Sequence, residues 1–393
     1  MCFLFYIIMM NLENLIYLDY NSTTPIDVRV LDAMMPFLKD NFANPSSTHN
    51  FGQSIFEKIE KARKRVSNCI NAEPNEIIFT SGSTEAINIA IKGIAESYYT
   101  KGKHIITVLT EHKAVLDTCK DLERRGYEIT YLPVQTNGLL HIEELQKAIR
   151  ADTILVSVMY VNNETGVIQP IKEIASIAHE NGAFFMTDAT QAFGKMQIDV
   201  EELDIDLLCF SGHKMYAPKG IGALYVRQRG NKVKLTPQTH GGGHEQGLRS
   251  GTLNAPGIIA LSKACEIASE EMTLNQRNVS ALRDKLETEL LKLPDTTING
   301  SSEIRIYNTT NICFHGQDAN VLIGRMKSIA VSNGSACSSA VFEPSHVLKA
   351  MGLNDDDAFA SLRFSLGKFN TIEEIETVIK KIKELNQSNF NYA

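Results

Sequence analysis

The sequence has no apolar run near the roughly 20 residues that a membrane-spanning helix requires. Its apolar start, Met1 to Met10, is only about ten residues long. That stretch lacks a basic leading segment and a small-residue cleavage site, which argues against a secretory signal. It reads as a weakly structured extension over residues 1–15, with Met9 or Met10 as alternative starts. Paired cysteines are missing too. The seven cysteines, at 2, 69, 119, 209, 265, 313 and 337, include no Cys-x-x-Cys. The scatter fits a reducing, cytoplasmic compartment and argues against a disulfide framework or a zinc site, so no metal ligands are assigned. Positive charge is not in excess either. With 39 Lys and Arg against 46 Asp and Glu the formal net charge is -7, which speaks against nucleic acid or an anionic membrane as a partner. A Gly-x-x-x-x-Gly-Lys phosphate loop is absent, as are internal repeats and low-complexity tracts.

What is present is ordinary for a globular enzyme: 43% hydrophobic and 22% charged residues. A chain of 393 residues has room for one large and one small domain. Strand-like runs occur at Glu76–Thr80, His104–Leu109, Tyr127–Val134, Thr153–Tyr160, Ala183–Asp188, Leu207–Phe210 and Gly222–Val226. Helical patterns separate most of them, and this alternation predicts an α/β domain with a largely parallel sheet. Residues 240–252 read as a flexible polar segment. A long helix over Ile258–Leu293 then predicts a crossing to a second domain. Strand-like Ile304–Ile306, Asn311–Phe314 and Ser361–Ser365 follow, with helices at Ala319–Met326 and Ile372–Glu384.

Residues able to do chemistry fall after the predicted strands. Ser83, Thr84, His112, Asn163, Asp188, Gln191, Ser211, His213 and Lys214 share that placement. In open α/β sheets, ligands collect outside the carboxyl ends of the strands. A strand, the turn Ser81–Glu85 and a helix N-terminus make an anion site, although a plain Ser or Thr cap fits the turn equally. His112 can lie over a planar ring or relay protons, or be structural. Asp188 can cap a helix. Lys214 lies between two apolar runs, where partial desolvation makes a neutral amine nucleophilic; a solvated loop lysine is the bland alternative. The small residues around Cys337 suit a reactive thiol or an inert one. Arg363, within a strand, suits bidentate capture of a carboxylate or a surface salt bridge.

Ser211-Gly212-His213-Lys214-Met215-Tyr216-Ala217-Pro218-Lys219-Gly220 is similar to the lysine signature of the cysteine desulfurases, in the class V branch of the aminotransferase superfamily. Asp19–Pro25, Thr80–Glu85, Thr110–His112, Val161–Glu164, Asp188–Gln191, Arg249–Thr252 and Gly334–Cys337 extend the resemblance, which runs from about Ile16 to Asn370. It implies a fold type I enzyme dependent on pyridoxal phosphate (PLP), with a mostly parallel seven-stranded sheet. Residues 16–260 would form the large domain, with the first residues packing on a small α+β domain of 261–393 that carries Cys337. By the same resemblance Lys214 carries PLP, and Ser83, Thr84, Ser211 and His213 hold its phosphate. Thr252 reaches in from the other subunit of a homodimer. His112 stacks on the ring and shuttles protons, Asp188 pairs with the pyridine nitrogen and Gln191 contacts the ring hydroxyl. Asn163 supports the ring and lines the substrate site. Arg363 would hold the carboxylate of L-cysteine, and Cys337 would take its sulfur. The acceptor implied is an iron–sulfur scaffold or another sulfur-acceptor protein, with tRNA thiolation as a further destination. Asn333, Ser338 and Ser22 stand where serine, threonine and alanine are more usual. The sequence also ends soon after its last helix, where housekeeping relatives often carry a longer docking tail. Rival readings are a selenocysteine lyase, another class V aminotransferase, and a catalytically idle assembly partner. Cys337 argues against an aminotransferase, and the full set Lys214, Asp188, His112 and Cys337 argues against the idle protein.

Overall fold

The structure is a computed structural model that describes residues 15–334 and 343–389. The expectations for residues 1–14 and for Cys337 therefore lie outside the described residues. The strands, in chain order, are β1 Ile16–Tyr17, β2 Ile77–Thr80, β3 His104–Val108, β4 Glu128–Leu132, β5 Thr153–Ser157, β6 Phe184–Asp188, β7 Leu207–Ser211, β8 Gly222–Val226, β9 Thr296–Ile298, β10 Thr309–Phe314, β11 Ile329–Ala330 and β12 Ser361–Ser365.

The main sheet has seven strands in the order β2-β8-β7-β6-β5-β3-β4. β8 runs antiparallel to both β2 and β7, and the other four pairings are parallel. Helical crossovers cover both faces, so the strands must be apolar on both sides. Ile106, Leu208 and Phe210 enter one core with the helices Asn50–Asn68, Ile171–Glu180 and the start of Ala255–Leu290. Their neighbours Ile105, Leu207 and Cys209 enter the opposite core, with the helices Ser83–Ser97 and Lys113–Arg124.

A separate core lies around the antiparallel sheet β12-β10-β9 and the parallel pair β1-β11. Leu18 packs there with Ile312 and Phe364, and with Ile375 and Val378 of the helix Ile372–Asn389. The helix Ala255–Leu290 serves both cores. Ile258, Leu261 and Ile267 belong to the main one, while Val279, Leu286 and Leu290 belong to the other.

Two expectations need correction. Ile304–Ile306 forms no strand: Arg305 makes a single bridge to Val167, and Ile304 is 47% exposed. The β-branched run Thr296–Ile298 takes that place beside β10. Residues 240–252 are also anchored rather than flexible. The Glu245 carboxylate accepts from both Arg63 Nη atoms, at 2.7 and 2.8 Å, and from the Phe79 N–H at 2.7 Å. Both charged groups are buried, and an ion pair in that setting holds only with such complete hydrogen bonding. Among the described residues, no helix is long and apolar enough to cross a membrane.

Candidate active site

β5, β6 and β7 are parallel neighbours, so their last residues open on one edge of the sheet. After β7 the chain turns tightly through Gly212–Lys214. A Cβ on Gly212 would lie 3.0 Å from the Ile221 side chain and 3.1 Å from Ala217, so only glycine fits without displacement. The turn ends at Tyr216 with a left-handed φ of 66°. Its N–H donates to Thr24 Oγ1 at 2.8 Å, and Thr24 donates back to the His213 carbonyl. This lock aims Lys214. Its Nζ donates to the carbonyl oxygens of Asn21, at 2.6 Å, and Ser22, at 2.8 Å. Burial first, then the Arg363 charge, lowers the ammonium to about 8 against the opposing pull of Asp188 and Asp19. A lysine so placed is partly neutral near physiological pH.

Asn21 joins the elements of the site. Its Nδ2 donates to the Asn163 carbonyl at 3.1 Å and to Thr309 Oγ1 at 2.9 Å. Its own carbonyl accepts from Lys214 and also from Gln191 Nε2, at 2.9 Å. Asp188 is buried at the end of β6, where its Oδ1 accepts the Thr190 N–H at 2.9 Å. Among the described residues no donor is recorded on its other oxygen. His112 is exposed and caps the helix Lys113–Arg124, with Nδ1 accepting the Ala114 N–H at 3.1 Å. That bond leaves the neutral ring's proton on Nε2. The preceding Glu111 is fully buried, and burial together with the Asp188 charge pushes its carboxyl well above the usual range.

The turn before the helix Ser83–Ser97 has no Ser or Thr cap. The residue at the cap is Gly82, with no side chain to occupy the helix end and a φ of +156° that suits glycine. A Cβ there would stand 3.4 Å from Ser211 Oγ, which brings β7 and this turn together. Gly222 permits the approach, since its Cβ would fall 2.7 Å from Gly82 Cα. Ser83 and Thr84 open that helix, where backbone N–H groups and the helix dipole favour an anion. His213 Nδ1 lies 3.1 Å from Thr23 Oγ1. Burial and the charges of Lys214 and Lys219 hold its ring down to about 4, so it is neutral at pH 7.

Arg363 is buried rather than a surface salt-bridge residue. Its guanidinium donates to the Asn163 carbonyl at 2.9 Å, Asp19 Oδ1 at 2.6 Å and Ser22 Oγ at 2.8 Å. Its Nε is buried with no partner among the described residues. The backbone of Arg363 also pairs with Ser332, two residues before Gly334. Glu164 touches both ends of the segment beyond: it accepts from Ser345 Oγ, and a Cβ on Gly334 would strike its Oε2. Burial raises this carboxyl to about 7. Thr252 is exposed, and no recorded hydrogen bond joins it to these groups.

The family described as aminotransferase class-V matches residues 16–378. The chain belongs to this family. The "Cysteine desulfurase IscS" of Methylococcus capsulatus is 50% identical over 370 residues, covering 94% of this chain and 92% of that protein. A solved structure titled "NIFS-LIKE PROTEIN" is 39% identical with a TM-score of 0.89, covering 94% of this chain and 99% of that one. Another, titled "SspA in complex with cysteine", is 38% identical with a TM-score of 0.80, covering 90% and 99%.

Membership in the class V family implies PLP as cofactor. The donor set fits it: an amine of lowered pKa, a buried carboxylate with a free oxygen, and a helix N-terminus whose cap has no side chain. Two residues of the site had no signal of their own in the sequence. Lys195 is buried, and its Nζ donates to Gln191 Oε1 at 2.7 Å. Burial, then the charges of Lys214 and Arg363, lowers it to about 7. Its four-residue spacing from Gln191 is the one clue the sequence holds. Glu164 lies within the Val161–Glu164 motif, yet its contacts with positions 334 and 345 are legible only in three dimensions.

Proposed function

We propose that this protein is a cysteine desulfurase that converts L-cysteine to L-alanine and passes the sulfur through Cys337 to an acceptor protein. The observation that carries the reading is the cluster around Asn21. Lys214 and Arg363 there meet adjacent carbonyl and side-chain groups of residues 19–22 and 163, with Asp188 close enough to act on the Lys214 charge. The name of the 50% identical relative and the cysteine bound in a 38% identical structure support the substrate.

The chain's residues divide the work. Ser83, Thr84, Ser211 and His213 would hold the cofactor phosphate, with Thr252 of a second copy completing the set. Asp188 would take the ring nitrogen, Gln191 the ring hydroxyl, and His112 and Asn163 the ring face. PLP, when bound, supplies the electron sink that loosens bonds at the substrate α-carbon. Lys214, neutral above about pH 8, accepts the α-proton and returns it. Arg363 holds the substrate carboxylate, and to do so it shares its fork with Asp19. The Cys337 thiolate attacks the substrate sulfur, the C–S electron pair stays with carbon, and protonation there gives L-alanine. The persulfide left on Cys337 is delivered to an iron–sulfur scaffold or another acceptor, in a cytoplasmic setting. Exposed Phe42, Phe51 and Phe56 offer an apolar surface for the second copy of a homodimer.

Single-turnover release of L-alanine from L-cysteine, with protein persulfide read by mass, tests the proposal. Wild type should give both products and Cys337→Ser neither. Alanine from both proteins would favour a lyase, and alanine from neither, with cofactor bound, would favour an aminotransferase.

A further inference from the structure

Cys313 and His315 are two residues apart at the end of β10, a spacing that puts both side chains on one face. Thr297 lies opposite Cys313 in the β10–β9 register and so shares that face. The short helix Asp355–Phe359, just before β12, brings Asp357 to the same point. Cys313 Sγ is 3.5 Å from His315 Nδ1 and 3.8 Å from Asp357 Oδ1, and these last two atoms are 2.6 Å apart. We propose that Cys313, His315 and Asp357 form a binding site for a borderline-soft divalent transition ion, of which Zn2+ is the type.

The distances suit such an ion. Tetrahedral zinc with a sulfur ligand at about 2.3 Å and nitrogen or oxygen ligands at about 2.1 Å separates its ligands by roughly 3.5 Å. Both sulfur distances already match that spacing, and the His315–Asp357 pair needs to open by less than an ångström when an ion replaces its shared proton. The remaining atoms of the ligands are held as a metal site requires. His315 Nε2 meets Thr297 Oγ1 at 2.8 Å, which leaves Nδ1 to face inward. Asp357 Oδ2 accepts from Asn354 Nδ2 at 2.9 Å, and the Asp357 N–H donates to Asn354 Oδ1 at 2.8 Å, so Oδ1 is the oxygen presented. A thiolate, an imidazole and a carboxylate exclude Mg2+ and Ca2+, which take oxygen alone. Cys313 is fully buried, whereas the side chains of His315 and Asp357 are 37% and 28% exposed. Water can therefore reach the fourth position. The thiol proton leaves on binding, and the two negative ligands then balance the ion's charge. Among the described residues this is the one group of three such donors brought within ligand distance of each other. Ser361, opposite Cys313 in β12, lies two residues before Arg363, so the ion would brace the strand pair that carries that arginine.

The test uses the full-length, cofactor-loaded chain in a Cys337→Ala background, which removes the thiol proposed for sulfur transfer. After chelator treatment, Zn2+ is titrated by calorimetry and Co2+ by absorbance. One ion per chain should bind, with a thiolate-to-cobalt charge-transfer band that Cys313→Ser removes. His315→Asn should weaken Zn2+ binding by about 100-fold or more, as loss of a ligand or its support does. Zn2+ should raise the melting temperature of the parent but not of His315→Asn, whose ion-free melting temperature should match the parent's. No stoichiometric ion, or equal titration of parent and His315→Asn, would overturn the site and leave a hydrogen-bonded triad.

Discussion

The two sheets serve the candidate site by different means. The seven-stranded sheet presents Lys214, Asp188 and the Ser83 turn through backbone geometry: parallel strands that end on one edge, a locked turn, and glycines at Gly82, Gly212 and Gly222 that let segments meet closely. The three-stranded sheet presents Arg363 through charge. Its guanidinium is fixed by Asp19, Ser22 and the Asn163 carbonyl, all from outside its own sheet. The first arrangement rests on close backbone contacts. The second can exchange partners, and a substrate carboxylate is the kind of partner that would compete with Asp19. On the proposed assignment of roles, cofactor and substrate would be held by different physics.

The sharpest way to break this comparison is Lys214→Ala, which should lower L-alanine formation by about 10,000-fold, the upper end for loss of a proton-transfer group. Retained turnover would remove Lys214 from the chemistry. Glu164→Gln tests the junction between the sheets. The folded carboxyl has a pKa of about 7 against an ordinary 4.5. Between those values the folded chain binds more protons than the unfolded one, so stability falls as pH rises through that window and stays reduced above it. The variant should lose this dependence and gain up to about 3 kcal/mol at pH 8 relative to pH 4.5. Urea melts at both pH values decide the matter. Arg363→Lys keeps the charge but loses the fork. The KM for L-cysteine should rise roughly 10- to 100-fold, with a smaller change in kcat. A fall in kcat alone would place the arginine's role after binding. Lys195→Met should have the smallest effect, about 10-fold weaker retention of cofactor, because Gln191 would lose the bond that orients its amide. The visible absorbance of the bound cofactor should shift with it. Lys195→Arg, if it restores both, would separate positioning from simple packing.

Much of the main sheet was legible because its strands are short apolar runs bounded by turn residues, and Lys214 and Asp188 were legible because they follow such runs. Other features depend on partners distant in sequence. Lys195 acts on Gln191, which acts on Asn21, and no local pattern records that chain of contacts. Ile304–Ile306 has the composition of a strand, but the edge beside β10 had already been taken by Thr296–Ile298. The glycines and histidines of residues 240–252 suggested flexibility, while the buried pairing of Glu245 with Arg63, 182 positions away, holds the segment down. The absence of Cys-x-x-Cys excludes one way of building a metal site and says nothing of ligands gathered from a strand and a helix 42 residues further on.

The helix Ala255–Leu290 has a mechanical consequence. Its 36 residues form a rod about 54 Å long. One end is embedded beneath the parallel sheet and the other beneath the antiparallel one. A flexible linker would let the two bodies swing freely; a continuous rod instead transmits a push at one end to the other, with bending as its only compliance. Lys214 follows the sheet at one end of this rod and Arg363 lies in the sheet at the other, so the rod's stiffness bears on how freely the two sheets can part, and its exposed middle, around Leu274, is where it can bend.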